Sequence, residues 1–251
     1  MDGPCVDSPV LGLDPCAGSI ALVTDCLVIA VDGPAGSGKS SAARGVARSL
    51  GLRYLDTGAM YRALTWWMLR QGVDIASPAA VAAHARRPAI EVATDPDSPA
   101  VTVDGTDVTG AIRTREVSNA VSAVARVPEV RAHLIAMQRD IIAATCGAGE
   151  GIVAEGRDIG TVVAPGAPIK VFLTASETVR ARRRSADLAA DPDATLEVTQ
   201  SEQQRRDRID APQTAKAPDA VQIDSTSLGL EEVVSAIVGL ARQRADAAWT
   251  G

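Results

Sequence analysis

Residues 27–50 constrain the fold more than any other stretch of this chain. The apolar run Leu27-Val28-Ile29-Ala30-Val31 ends in Asp32 and passes directly into Gly33-Pro34-Ala35-Gly36-Ser37-Gly38-Lys39-Ser40, after which Ser41 to Leu50 carries a helical pattern. A short β-rich apolar run suits a buried parallel strand. The pattern G-x-x-x-x-G-K-[ST] between a strand and a helix is a loop whose backbone N–H groups converge on phosphate oxygens, with the helix N-terminus adding partial positive charge. In this reading Gly33, Pro34, Ala35, Gly36, Ser37, Gly38 and Ser41 surround the phosphates of a nucleotide. Lys39 reaches the β- and γ-phosphates, and the Ser40 hydroxyl ligates Mg²⁺.

The charge balance at first argues against a phosphate ligand. The 251 residues hold 25 Lys+Arg against 31 Asp+Glu, a formal net charge of −6. The first 26 residues account for −4 of this, through Asp2, Asp7, Asp14 and Asp25 with no basic residue. With Gly and Pro throughout and no positive n-region, residues 1–26 are expected to be a flexible N-terminal extension rather than a secretory signal. The remaining residues, 27–251, are nearly neutral. Their basic charge is almost all arginine, since the only lysines are Lys39, Lys170 and Lys216.

Hydrophobic residues make up 46% of the chain, which excludes a disordered protein, and no uncharged apolar run is long enough for a membrane helix. An acidic pI near 5.0 argues against binding polymeric nucleic acid. Cys5, Cys16, Cys26 and Cys146 show no C-x-x-C spacing, so reduced cytoplasmic thiols are expected rather than a disulfide framework or zinc site. Neither His84 nor His133 sits in a hydrolase motif. A monomer is the expected assembly.

Further along, Tyr54-Leu55-Asp56-Thr57-Gly58-Ala59-Met60-Tyr61-Arg62 opens a helix capped by Asp56 or Thr57, with Met60, Ala63, Leu64, Trp67 and Met68 on its apolar face. Arg62 falls off that face; a solvated arginine and a phosphate contact are equally consistent with its position. Trp67 reads as core. The run Gly151 to Ala154 is another buried-type strand, ending in Glu155-Gly156-Arg157-Asp158-Ile159-Gly160. Ligands of open α/β sheets bind at the carboxyl ends of strands, which favours Arg157 and Asp158. The strand Ile169 to Leu173 is followed by a helix carrying Arg180, Arg182, Arg183 and Arg184. A second basic cluster, Arg205, Arg206 and Arg208, lies beyond the acidic stretch Asp187 to Glu197. Two arginine clusters around a polar connection read as a mobile helical lid at about 180–210. A last strand, Ala220 to Asp224, and a helix from about Leu230 to Arg244 close the chain.

Between Ala89 and Thr145 the strand–helix rhythm breaks. Short strands at 90–94 and 100–104 flank a turn, and helices are expected from Arg113 to Ala125 and from Glu129 to Ala144. The fold class is therefore α/β: a P-loop core with a parallel sheet flanked by helices, a small α+β insert at about 89–145, and the lid. No Asn-Lys-x-Asp guanine-reading motif and no Leu-Ser-Gly-Gly-Gln signature occur, which favours a small-molecule kinase over a GTPase switch or a transport ATPase.

With these segments in view the chain resembles the bacterial cytidylate kinases. The resemblance rests on residues 31–40, 54–62, Val108 to Thr114, Glu116 to Asn119, Val130-Arg131 and Glu155 to Val163, and spans nearly all of 27–251. It implies transfer of the γ-phosphoryl group of ATP to CMP or dCMP. It further implies cytosine recognition by Ser122, Arg131 and Asp158, a monophosphate held by Arg62, Arg157 and Arg206, a ribose contact from Asp210, and a further nucleotide contact from Thr57. An arginine and a carboxylate match the cytosine edge, with its N4 donor and N3/O2 acceptors. Lys39 and the lid arginines Arg180, Arg183, Arg184 and Arg206 are expected to stabilise the transferring phosphoryl group.

One segment departs from the family pattern. Gln213 stands where a second arginine is usual, and the stretch before Ala217-Pro218 is about four residues short. Gln213 cannot supply charge, so either Lys216 partly replaces it or turnover is reduced. Two alternatives stay open on these residues: another small-molecule P-loop kinase, which gives no reason for the insert, and a non-catalytic nucleotide-binding protein, if the segment 206–217 disables transfer.

Overall fold

The computed structural model describes residues 26–187 and 195–249, so the N-terminal extension up to Asp25 and the middle of the acidic lid stretch lie outside the described residues. Five parallel strands form the central sheet in the order β2-β6-β1-β7-β8: β1 (Val28–Asp32), β2 (Arg53–Asp56), β6 (Ile152–Gly156), β7 (Ile169–Thr174) and β8 (Val221–Asp224). Every residue of β1 and β6 is buried, as their apolar runs require of strands covered on both faces. Alternation sends their side chains to opposite layers. Val28 and Ala30 join one core cluster, Ile29 and Val31 the other.

One layer is built by α1 (Lys39–Leu50) and α8 (Leu230–Trp249), packed together against the sheet. The other holds α2 (Thr57–Arg70), α3 (Pro78–His84), α4 (Arg115–Ala125) and α5 (Pro128–Gly147). The apolar face read for α2 is the one it buries: Met60, Ala63, Leu64 and Met68 are fully enclosed. Trp67 is half-buried and donates its Nε1–H to Asp104 at 2.9 Å. Pro128 at the first position of α5 sets the break from α4.

The insert contains the two expected strands, β3 (Ile90–Val92) and β4 (Val101–Val103), and a two-residue third, β5 (Thr106–Asp107), all antiparallel. It shares its core with the sheet: Ile90, Val101, Val103 and Leu134 belong to one cluster with Ala30 and Ile152. The two-helix arm comprises α6 (Glu177–Asp187) and α7 (Leu196–Asp210), with a 3₁₀ turn at Ala211–Gln213.

The cysteines correct an expectation. Cys26 and Cys146 form a disulfide with their Cα atoms 5.0 Å apart, across a sequence separation of 120. The cause is topological. The chain leaving α5 returns as β6, the parallel neighbour of β1, and Ile152 donates its amide to the Leu27 carbonyl at 2.8 Å. The end of α5 is thereby carried to the start of β1.

Candidate active site

A cavity of about 550 Å³ opens at the carboxyl ends of β1, β2 and β6. The loop Gly33–Gly38 turns over it because Gly36 and Gly38 adopt φ values of 74° and 89°. The loop also fits closely: a side chain on Gly33 would overlap the Leu173 carbonyl oxygen, and one on Gly36 the Gln203 amide. Residues 35–42, which include Lys39, Ser40 and Ser41, line the cavity; of the expected phosphate-loop residues Gly33 and Pro34 are not on its lining. Burial pushes the Lys39 ammonium down to about 8, opposed by the neighbouring Glu155 carboxylate.

The segment Asp56–Arg62 forms another wall. Asp56 caps α2, accepting from the Ala59 amide at 2.9 Å, and pairs with Arg113 at 3.0 Å. Thr57 donates its hydroxyl to the Glu155 carbonyl at 2.7 Å. Arg62, whose position left two readings open, faces the cavity and bonds Ser118 at 2.7 Å. From the opposite side Arg157 pairs with Asp210 at 2.9 Å, and Arg131 Nη2 with Asp158 at 2.5 Å.

The cavity concentrates positive charge away from water. Burial, then the adjacent Arg206 and Arg184, holds Arg62 well below its ordinary pKa. Burial and Arg157 lower Arg206 to about 10, and its Nε has no hydrogen-bond partner. Ser122, nearly fully buried on the lining, has an unpartnered hydroxyl. Desolvated cations and an unused hydroxyl bonded to nothing in the protein are groups shaped for a polar, anionic ligand.

Of the expected site residues, Thr57, Arg62, Ser122, Arg131, Arg157 and Asp158 line this cavity, as do Arg183, Arg184, Arg206 and Asp210. Arg180 does not. It is 7% exposed and spends its guanidinium on the Ala35 carbonyl (3.0 Å), the Ala175 carbonyl (3.2 Å) and Asp207 (2.6 Å), bracing the loop from behind. Lys216 is exposed and off the lining, so it is not placed to replace charge at Gln213.

Sequence reasoning passed over Glu155. This carboxylate is fully buried, accepts from the Tyr54 hydroxyl at 2.8 Å and from Ser40, and is pushed up by burial and by Asp56. Its place at the end of a buried strand was the available signal. A further wall, from Ser225, Leu228, Leu230 and Val233, also carried no sequence signature.

Comparison with known proteins adds one finding to this geometry. The family model described as cytidylate kinase matches residues 29–243. The chain belongs to this family. Cytidylate kinase of Streptomyces griseus is 50% identical over 218 residues, 85% of this chain and 92% of its own. That of Streptomyces avermitilis is 48% identical over 229 residues, 89% and 96% of the two chains. Among solved structures, a gluconokinase from Sinorhizobium meliloti 1021 is 18% identical with a TM-score of 0.45, over 90% of this chain and 98% of that one. In this cytidylate kinase family member the phosphate loop and Arg62, Arg157, Arg184 and Arg206 line one space.

Proposed function

We propose that the protein transfers the γ-phosphoryl group of ATP to CMP or dCMP, giving CDP or dCDP and ADP. The observation that carries this is the set of inward-facing arginines, Arg62, Arg157 and Arg206, sharing one cavity with Lys39 and with the Arg131–Asp158 pair. The phosphate loop takes the donor, with the wall at Ser225–Val233 beside it for the donor nucleoside. The acceptor monophosphate neutralises the arginines, while Ser122, Arg131 and Asp158 meet the base.

The acceptor phosphate is itself the nucleophile, so the chain's task is alignment and charge stabilisation. Lys39, Arg183, Arg184 and Arg206 hold the phosphoryl oxygens in line between donor and acceptor. The α6–α7 arm acts as the lid that excludes water and so suppresses hydrolysis. For Mg²⁺ the donor set is chemically apt: the Ser40 hydroxyl beside the buried Glu155 carboxylate offers hard oxygens. No cluster of three or more acidic, Cys or His groups occurs among the described residues, which suits an ion completed by phosphate and water. When bound, it would screen the phosphate charge. Among the described residues no helix is long and apolar enough to cross a membrane. The assembly we infer is a monomer; the Cys26–Cys146 disulfide removes the reduced-thiol ground for a cytoplasmic placement.

The test is ADP release from ATP and Mg²⁺ with CMP, dCMP, UMP or AMP. CMP and dCMP should be turned over, and UMP should fall behind by roughly two orders of magnitude in kcat/KM, because its O4 acceptor would face the Asp158 carboxylate. Lys39→Ala should abolish release while keeping its circular dichroism. Release with none of the four would favour another P-loop kinase or a non-catalytic nucleotide binder.

A further inference from the structure

Helix α7 ends in a turn that reaches two arginines of the cavity. Asp210, its last residue, pairs with Arg157 at 2.9 Å. Three residues on, the Gln213 side-chain oxygen accepts from Arg131 Nη1 at 3.1 Å. Thr214 closes this turn twice over. Its amide donates to the Ala211 carbonyl at 3.1 Å and its hydroxyl to the Asp210 carbonyl at 2.9 Å. Gln213 is therefore presented by a turn fixed at both ends, and it lies on the cavity lining.

Arg131 is held between two acceptors that come from different parts of the chain. Asp158, beyond β6, takes Nη2, and Gln213, beyond α7, takes Nη1. A guanidinium is planar with donors in a rigid fork, so anchoring both terminal nitrogens sets its plane and decides which N–H groups remain for a ligand. One anchor alone leaves rotation about the Arg131–Asp158 contact. The second anchor must accept without carrying positive charge, because a cation there would repel the guanidinium; a glutamine meets both conditions.

We propose that Gln213 is the positioning residue of the base subsite: it orients Arg131 against the acceptor base and couples that orientation to the α6–α7 arm. This rests on the reading of Arg131 and Asp158 as the base-binding pair. It assigns Gln213 to acceptor recognition and not to the transferring phosphoryl group, so the neutral residue at this position is no handicap to turnover.

The test compares steady-state kinetics of Gln213→Met, Gln213→Glu and Gln213→Arg with the wild type, using CMP and UMP as acceptors. Methionine keeps the length and removes the acceptor. It should raise KM for CMP about tenfold, the factor of one lost hydrogen bond to a charged group, and leave kcat and the KM for ATP within about twofold. The loss should be larger for CMP than for UMP, narrowing the discrimination between them. Glutamate, which still accepts from Arg131, should restore KM, and arginine should raise it further without raising kcat. The proposal is overturned if Gln213→Met lowers kcat with KM unchanged, if arginine raises kcat, or if methionine and glutamate behave alike. A wild type that does not phosphorylate CMP would overturn the substrate reading as well; CMP turnover with the wrong variant pattern overturns this inference alone.

Discussion

Asp32 ends β1 and faces no solvent. Its two carboxylate oxygens accept the amides of Ile159 and Gly160, both at 2.8 Å, tying the strand that enters the phosphate loop to the segment just after Arg157 and Asp158. Burial pushes its pKa up from 3.8 to about 6, those two amides pull it back, and the nearby Asp158 adds to the rise. Between about pH 4 and 6 the folded protein thus holds a proton here that the unfolded chain has released. Stability from this group is complete below that window and lost as pH rises through it. The stability of the wild type relative to Asp32→Asn should fall from pH 4 to 6, by up to about 3 kcal/mol, and level off above. Denaturant unfolding at several pH values checks this; a flat or rising difference would show that burial does not govern the group. The sequence marked Asp32 as a strand end but could not show its partners, which lie 127 and 128 positions away. Arg62 is similar: its spacing placed it off the apolar face of α2, and only packing against Ser118 turned it to the cavity rather than to water.

At the scale of elements, what is local was legible. The strand–loop–helix of residues 28–50 follows from a β-rich run, glycines that accept positive φ, and a helix that starts at Lys39. Helix α3 was overlooked although it had a readable start: Ser77 accepts from the Ala80 amide at 3.3 Å and Pro78 is the first helical residue. Strand β5 has only two residues and no periodicity to show. The five-residue π-helical turn Ile159–Val163 depends on the distant Asp32 carboxylate and has no pattern of its own. The Cys26–Cys146 link is the largest element-level departure, since spacing carries no information about which ends the topology joins. Because it closes a long loop of the unfolded chain, reducing it should cost roughly 2–5 kcal/mol of stability. The wild-type melting temperature should drop on adding reductant while Cys146→Ser, already lower, should not respond; a reductant-insensitive wild type would refute the pairing.

Across the whole molecule, the sheet order brings chain segments from both halves of the sequence to one cavity, and there function opposes stability. Arg62, Arg184 and Arg206 repel one another in a desolvated space. Replacing Arg206 by methionine should raise the melting temperature of the ligand-free protein by about 2–5 °C, abolish most of the shift that CMP produces, and cut turnover by about 10³ or more. Thermal scans with and without CMP, beside the ADP assay, decide it; a ligand-free protein made less stable would mean that Asp207 and Asp210 already compensate the charge. The sequence by itself determined the phosphate loop, the parallel α/β class, the two short strands within 90–104, and the family motifs that name many of the cavity's side chains. These depend on residue type and near neighbours along the chain. Only the tertiary structure decided that Arg180 braces the Ala35 carbonyl from off the lining, that Arg183 lines the cavity while bonding the Ser37 carbonyl, that Gln213 meets Arg131, and that Cys26 meets Cys146. Helix α6 is polar on nearly every side, so no apolar stripe in its sequence fixes its rotation, and contacts across 82 or 120 residues exist only once the strands have taken their order.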